Sequence, residues 1–176
     1  HQDLTYWGLG ATGSMVAVWL SLSASTPASG CMNFVRGSHK NPILPHHETF
    51  DDGNLRPRGQ KVIAHVGAAD KTAIEIHPSQ ISLIHGLTIH GSGPNTKDDR
   101  RIACLIRYIN PDVMQEVRTR DYAMMTRGVD RKGHFIYFAP PRAAFDAECL
   151  SLNDEIRTTQ AAVTMKDKKN ATGRYA

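Results

Sequence analysis

Hydrophobic and polar residues alternate along most of the first 140 positions of the chain, in short runs that are typical of β-strands. In the clearest run, "MVAVWLSL", Val16, Val18 and Leu20 fall on one face, whereas the residues between them fall on the other. Further runs of this kind are "CMNFV", "KVIAHV", "TAIEI", "QISLIHG", "LTIHGS", "RIACLIRYI" and "GHFIYF". Turn-forming residues separate these runs, so the pattern predicts an antiparallel sandwich or barrel.

Two segments interrupt the β pattern. Residues 40–60 contain three prolines and two glycines, which predicts a long irregular connection of the kind that is often functional. Residues 143–166 are weakly helical in pattern, and the closing "KDKKNATGRYA" is typical of a frayed or disordered end. We therefore expect a β domain over residues 1–142 and a helical or disordered extension over residues 143–176.

Composition narrows the class of protein. The chain has 176 residues, of which 40% are hydrophobic and 22% charged, as in one ordinary soluble domain. Its longest apolar run, residues 15–20, is much shorter than the roughly 18 residues of a membrane-spanning helix. The net charge is +4, but the basic residues are scattered, so we expect neither a nucleic-acid nor a membrane partner. Three widely spaced cysteines favour a reducing compartment, and we expect a cytoplasmic protein.

The opening stretch "HQDLTYWGL" has a histidine and an aspartate two positions apart. This pair is an accident, a copper site built on the amino terminus, or half of an iron site. His90 closes another predicted strand, and Arg101 follows it by eleven residues at the start of the next strand. If these strands form an antiparallel hairpin, both side chains can point into one barrel, where His1 and Asp3 could join them.

Two histidines and one carboxylate on one face of a metal leave three positions open, which is the ligand set of non-haem Fe(II) oxygenases. A nearby arginine suits a dicarboxylic co-substrate, because its planar guanidinium binds a carboxylate through two hydrogen bonds. Each signal alone is weak, since the chain has nine histidines. The combination of His-x-Asp, a distal "HGSG" and an arginine eleven positions after that histidine is more specific.

Four stretches, "HQDLTYWGL", "GCMNFVRGSHK", "ILPH" and "HGSGPNTKDDRRIACLIRYI", together resemble the phytanoyl-CoA dioxygenase family over roughly residues 1–140. The resemblance implies a mainly β fold, a double-stranded β-helix of the jelly-roll or cupin type with long loops and a short C-terminal helical segment. It also implies an Fe(II)- and 2-oxoglutarate-dependent dioxygenase. Such an enzyme hydroxylates a small-molecule substrate, such as an acyl-CoA or another metabolite, with succinate and CO2 as co-products.

The resemblance also assigns residues to the site. It implies that His1, Asp3 and His90 bind iron, and that Arg101 and Ser92 hold the far carboxylate of 2-oxoglutarate. O2 is then the other co-substrate, and ascorbate is a further candidate cofactor. Halogenating relatives carry a small residue in place of the aspartate, so Asp3 favours hydroxylation.

Three more residues are candidates for the pocket. Tyr6 falls on the family's His-Gln-Asp-Leu-x-Tyr pattern and is a candidate co-substrate contact. Asn33 lies in the middle of "CMNFV" and could face the iron, where a polar side chain needs a partner. Trp19 suits a substrate pocket and a packed core equally well.

The competing histidines and arginines are assigned by strand parity. His85 lies five residues before His90, so it faces the other way in an unbroken strand, although Gly86 could break that parity. Arg107 shares the parity of Arg101 but lies about 20 Å along the strand, where it closes the other end of the barrel or pairs with an acid. We expect the remaining histidines to be loop or surface residues, namely His39, His46, His47, His65, His77 and His134.

The chain departs from the family pattern at two points. Arg36 stands where relatives usually have a proline before Gly-Ser-His, and relatives have substantial sequence before their His-x-Asp. We therefore expect the C-terminal part of a longer enzyme. This keeps open a non-catalytic or truncated barrel that only binds a ligand or partner. A copper histidine brace, as in some secreted monooxygenases, is a more remote alternative because it does not explain Asp3 or Arg101.

Overall fold

The computed structural model describes residues 1–49, 59–116 and 120–164. The strands within these ranges are short and are followed by one α-helix, α1 (Ala147–Thr164). They are β1 (Met15–Ser21), β2 (Met32–Val35), β3 (His46–Thr49), β4 (Gly59–Val62), β5 (Lys71–Ala73), β6 (Ile81–His85), β7 (His90–Ser92), β8 (Ala103–Ile109), β9 (Asp121–Ala123) and β10 (Phe135–Tyr137). The expectation of a mainly β chain with a C-terminal helical segment is confirmed.

Two three-stranded antiparallel sheets make up most of the fold. One has the strand order β6-β1-β8, and the other has the order β5-β2-β7. Two smaller sheets pair β3 with β4 and β9 with β10. β1 lies at the centre of the first sheet because the strongest hydrophobic run of the sequence is buried best between two neighbours.

Side chains from both three-stranded sheets form the core. Ala17 and Ile84 are opposite each other in the first sheet and are nearly inaccessible to solvent, and Met32 of β2 packs against them. The half-buried hydrophobic side chains around this cluster are Trp19, Phe34, Ile74 and Leu105. The small Ala17 side chain leaves room for these larger neighbours, as close packing requires.

The opposite face of the β6-β1-β8 sheet is also apolar. Val18 of β1 pairs there with Leu83 and Ile106, and the Leu83 side chain is 62% exposed. Hydrophobicity alone therefore does not distinguish the two faces of β1. Burial distinguishes them, because Ala17 on the inner face is fully covered whereas Val18 is only half-buried.

The expected hairpin between the strands of His90 and Arg101 is wrong. β7 pairs with β2 and β8 pairs with β1, so the two strands belong to different sheets. The intervening turn carries the chain from one sheet to the other, and Arg101 precedes β8 by two residues. The physical reason is that each strand already satisfies backbone hydrogen bonds in its own sheet, because β8 pairs with β1 over seven residues and β7 pairs with β2 over three.

Two other expectations need correction. The segment 40–60 is not irregular throughout, because β3 and the start of β4 lie within it, while residues 50–58 lie outside the described residues. The sheet is not antiparallel throughout either, because β9 and β10 pair in parallel. The predicted frayed end from residue 166 onward also lies outside the described residues.

The chain divides into two compact units. The first comprises His1–Leu4, Ala11–His47 and Gln60–Asn110, and it contains both three-stranded sheets. The second comprises the remaining residues, with β9, β10 and α1. Within it, the Tyr122 hydroxyl donates a hydrogen bond to the carboxylate of Glu155 on α1. No helix in the described ranges is long and apolar enough to cross a membrane.

We expect Gly30→Ala to lower the free energy of unfolding by about 2–4 kcal/mol, measured by urea denaturation. Gly30 has a φ of +70°, and a Cβ there would lie 2.6 Å from the carbonyl oxygen of Gly93. Gly37 is a matched control, because its φ is +73° but an added Cβ meets no described atom within 4 Å. Gly37→Ala should therefore cost only about 1 kcal/mol, and equal losses in the two variants would contradict the packing described here.

Candidate metal centre

Two segments that are distant in sequence pair through their backbones at His1 and His90. The backbone nitrogen of His1 donates to the carbonyl oxygen of His90 at 2.8 Å, and the backbone nitrogen of His90 donates to the carbonyl oxygen of His1 at 2.9 Å. This double hydrogen bond is the pattern of directly opposed residues in an antiparallel pair. It brings the two imidazole rings side by side, with centroids 4.4 Å apart.

Asp3 completes a cluster of three potential metal ligands. Its Oδ1 lies 3.3 Å from Nε2 of His1 and 3.6 Å from Nε2 of His90. Asp3 begins a short 3-10 helix, Asp3–Thr5, so a tight turn rather than a continuing strand brings its carboxylate back over the histidines. One ligand atom from each of the three side chains lies within 4.8 Å of the others, and no other such cluster occurs among the described residues.

Burial and charge act on Asp3 in opposite directions. Burial by itself raises the pKa of the Asp3 carboxyl. The hydrogen bond with His1 and the electrostatic interactions with the two histidines and Arg107 outweigh burial, so the pKa of Asp3 lies below its ordinary value. The carboxylate is therefore ionised at neutral pH, which is the form that binds a cation.

The hydrogen bond made by His90 leaves its Nε2 facing the cluster as a possible metal ligand. Nδ1 of His90 donates to the carbonyl oxygen of Thr88 at 2.9 Å, which fixes the tautomer whose Nε2 carries a lone pair. Neighbouring ligand atoms around an octahedral ion with bonds of about 2.1 Å lie about 3 Å apart, close to the spacings of this cluster. Two imidazole nitrogens and one carboxylate oxygen therefore fit a divalent transition metal.

Arg101 adds a second polar feature on the inner side of the same unit. Its Nη2 lies 3.5 Å from the hydroxyl oxygen of Ser92, and its guanidinium lies 5.1 Å from the ring centroid of Trp19. Nη1 of Arg101 is buried and has no hydrogen-bond partner among the described residues. Partial burial also lowers the pKa of Arg101 from its ordinary value, and the interaction with Cys31 opposes this effect. A half-buried guanidinium with one buried, unused donor suits an anionic ligand.

The structure does not bring every predicted site residue to the cluster. Asn33 is opposite Gly91, whereas its neighbour Phe34 is opposite His90, so Asn33 lies on the other face of β2. Its Nδ2 instead donates to the carbonyl oxygen of Cys31 at 3.4 Å. The expectation that Asn33 faces the metal is therefore wrong. Tyr6 is buried in the second compact unit, and its part in co-substrate binding stays a prediction.

Strand parity predicted the faces on which His85 and Arg107 lie. His85 is opposite Val16 on the outer face of its sheet, away from the cluster, as expected. Arg107 is opposite Ala17 on the inner face, where its charge helps to lower the pKa of Asp3, and its predicted pairing with an acid or closure of the barrel end stays a prediction. Trp19 packs against the core, which is one of its two predicted roles, and its ring lies beneath Arg101, whereas its part in a substrate pocket stays a prediction.

Of the histidines expected in loops or at the surface, His46 is an exception. It is half-buried in β3, and its Nε2 accepts a hydrogen bond from the backbone nitrogen of Gln2 at 3.3 Å. Gln2 and Ser38 are fully or nearly buried polar residues that sequence reasoning did not single out. The available signal was their position, because Gln2 lies between two ligands and Ser38 lies in the "GSHK" stretch.

The amino-acid sequence of the chain is similar to those of known proteins. The sequence profile of the phytanoyl-CoA dioxygenase family matches residues 1–103. A probable phytanoyl-CoA dioxygenase of Caenorhabditis elegans is 28% identical over 117 residues, which cover 66% of this chain and 38% of that protein. The peroxisomal phytanoyl-CoA dioxygenase of Bos taurus is 30% identical over 108 residues, which cover 58% of this chain and 31% of that protein. The chain thus spans about a third of the length of these relatives.

Several solved structures also align with this chain. The apo form of the non-heme monooxygenase ThoJ is 30% identical with a TM-score of 0.80, over 93% of this chain and 58% of that chain. A nickel complex of ThoJ aligns over the same shares with 27% identity and a TM-score of 0.70. EvdO2 from Micromonospora carbonacea is 27% identical with a TM-score of 0.52, over 66% of this chain and 49% of that chain.

The cluster predicts that a divalent transition metal stabilises the folded chain. Mn(II) at about 100 times its Kd should add about 2.7 kcal/mol to the free energy of unfolding, visible as a rise in Tm. His90→Ala should remove this rise, because two ligands hold the ion much less well than three.

His77→Ala is the matched control, because His77 is exposed and lies outside the cluster. It should keep the full rise in Tm. A rise of the same size in His90→Ala would show that the metal binds elsewhere.

Proposed function

The chain belongs to the phytanoyl-CoA dioxygenase family, and from this membership and its ligand cluster we propose that it is the metal- and co-substrate-binding part of an Fe(II)- and 2-oxoglutarate-dependent dioxygenase. The observation that carries this proposal is the convergence of His1, Asp3 and His90. The reaction is hydroxylation of a small organic molecule.

Bound to a metal, His1, Asp3 and His90 would supply two imidazole nitrogens and one carboxylate oxygen and would leave the remaining positions for other ligands. Bound iron supplies the oxidative chemistry, in which O2 converts 2-oxoglutarate to succinate and CO2 and one oxygen atom enters a C–H bond of the substrate. Asp3 contributes a negative charge, and the ionised state of its carboxyl at neutral pH supports this role. The nearly buried side chains of Asp3 and His90, each 8% exposed, limit access of water to this side of the metal.

Arg101 and Ser92 bind the far carboxylate of 2-oxoglutarate. The unused buried donor of Arg101 and its contact with the Ser92 hydroxyl support this assignment. Trp19 beneath the guanidinium restricts its orientation, so that both nitrogens of the fork can face one carboxylate. Holding the far end of the co-substrate orients its keto acid end toward the metal before the reaction begins.

The two three-stranded sheets are the parts of a double-stranded β-helix in this proposal. Their shared core and the placement of His90 and Ser92 on the inner face of β7 support it. Asp3 at the third ligand position favours hydroxylation over halogenation. The substrate class remains broad, because the bovine relative is named for an acyl-CoA substrate and ThoJ is named only as a monooxygenase. Ascorbate is proposed as an accompanying reductant.

Two alternatives to a dioxygenase differ from it in what they require of the chain. A barrel that only binds a ligand would take up Fe(II) and 2-oxoglutarate without releasing succinate. A copper histidine brace would need the backbone nitrogen of His1 as a ligand, whereas that nitrogen donates to the carbonyl oxygen of His90. The hydrogen bond therefore weighs against the brace.

Arg101→Ala should weaken 2-oxoglutarate binding by roughly 100-fold, because it removes a charge-assisted, two-pronged contact. Its Fe(II) affinity should change by no more than about twofold, because Arg101 is not a metal ligand. The measurement is an anaerobic titration with Fe(II) and then 2-oxoglutarate, followed by the visible charge-transfer band of the chelate.

Arg100→Ala is the matched control, because Arg100 is adjacent in sequence and exposed. It should leave both affinities unchanged. Equal 2-oxoglutarate binding by the parent chain and Arg101→Ala would contradict the assignment of Arg101 to the co-substrate. A band without succinate release under O2, tested with a panel of acyl-CoA and other small substrates, would favour the binding module.

A further inference from the structure

The backbone that leads into His90 is held from several sides. The carbonyl oxygen of Leu87 accepts a hydrogen bond from the side chain of Gln2 at 3.0 Å. The backbone nitrogen of Ile89 donates to the hydroxyl of Ser38 at 2.8 Å, and the Ile89 carbonyl accepts from the backbone nitrogen of Val35 at 2.9 Å. The three residues before His90 therefore have little freedom to shift along the chain.

Gln2 is a fully buried polar residue between two ligands of the cluster. Its Nε2 donates to the carbonyl oxygens of Pro42 and Leu87, both at 3.0 Å, and its Oε1 accepts from the backbone nitrogen of Leu44 at 2.9 Å. The amide therefore joins the His1–Asp3 segment to the loop at residues 42–44 and to the turn before His90. Such a satisfied buried amide specifies one arrangement, because any other leaves polar groups unpaired.

Ser38 makes the second of these connections. Its hydroxyl donates to the carbonyl oxygen of Val35 at 2.7 Å and accepts from the backbone nitrogen of Ile89. The side chain is nearly buried, 3% exposed for the residue, and begins the short 3-10 helix Ser38–Lys40. A hydroxyl is needed here, because the same atom must be a donor to one backbone group and an acceptor for another.

His46 fixes the far end of the same loop. Its Nδ1 donates to the carbonyl oxygen of Leu44 at 2.7 Å, which leaves the tautomer whose Nε2 accepts a hydrogen bond from the backbone nitrogen of Gln2. The "GSHK" and "ILPH" stretches thus supply Ser38, Leu44 and His46 to one network around the ligand segments.

We infer that Gln2 and Ser38 are positioning residues of the metal centre, which set the separation of the His1–Asp3 segment and His90 from outside the ligand set. The inference rests on the proposed metal-binding function. Residues that orient metal ligands are worth about 10- to 100-fold in metal affinity, and here the orientation acts through the backbone on both sides of the cluster.

The first test compares two buried serines. Ser38→Ala removes the hydroxyl that holds Ile89, whereas Ser29→Ala removes a similarly buried hydroxyl whose hydrogen bonds within the described part of the chain are to Ala24 and Thr26. The readouts are the Kd for Co(II) and its visible absorption spectrum, both measured well below the Tm of each variant. We expect Ser38→Ala to bind Co(II) at least about tenfold more weakly with an altered spectrum, and Ser29→Ala to match the parent chain within about twofold.

A conservative variant of Ser38 and a second pair of variants, at two buried glutamines, extend the test. Ser38→Thr keeps the hydroxyl and should restore binding to within about threefold of the parent chain. Gln2→Met should weaken Co(II) binding at least about tenfold, whereas Gln115→Met, at a buried glutamine of the other compact unit, should not. If Ser38→Ala fails to fold, the comparison of Gln2→Met with Gln115→Met tests the inference instead.

The outcomes separate the two proposals. Normal Co(II) binding by the parent chain with equal affinities in Ser38→Ala and Ser29→Ala, or in the two glutamine variants, would overturn this inference alone. Failure of the parent chain to bind Co(II) would overturn the proposed metal centre and this inference together.

Discussion

The two backbone hydrogen bonds between His1 and His90 are the contact on which the candidate site depends. They join segments that lie 89 positions apart and place two imidazole rings beside each other. Asp3 can reach both rings only because this pairing is already made, since its carboxylate turns back from the next few residues. Bringing these distant segments together lowers the entropy of the chain. Burial of Ala17, Met32 and Ile84 in the core between the two sheets offsets this loss.

Two features of the site suit ligands of opposite charge. The buried carboxyl of Asp3 is ionised at neutral pH, because its neighbours lower its pKa despite burial, so it favours a cation. The half-buried guanidinium of Arg101 has one buried donor without a partner among the described residues, which costs stability until an anion accepts from it. A divalent metal together with a dicarboxylate would satisfy both groups.

The sequence predicted the parts of the site that repeat a short local pattern. The His-x-Asp pair, the "HGSG" stretch and the arginine eleven positions further on, together with the family resemblance, named His1, Asp3, His90, Ser92 and Arg101 as candidates. The structure brings the first three together and places Arg101 beside Ser92, whereas Asn33 lies on the other face of β2, and the binding roles stay proposals. Asn33 was misassigned because strand parity is defined relative to a partner strand, and the partner of β2 could not be read from the chain.

The sequence by itself determined the local properties: short alternating strands, a weakly helical segment over residues 143–166, within which α1 forms, and residue types suited to a metal and a carboxylate. Tertiary structure decided which face of β1 is buried, because Ala17 and Val18 lie on two faces that are both apolar. It also decided that β7 and β8 belong to different sheets and that Gln2 and Ser38 hold the ligand segments. These features depend on hydrogen bonds and packing between residues far apart in the chain, which no local pattern of residue types encodes.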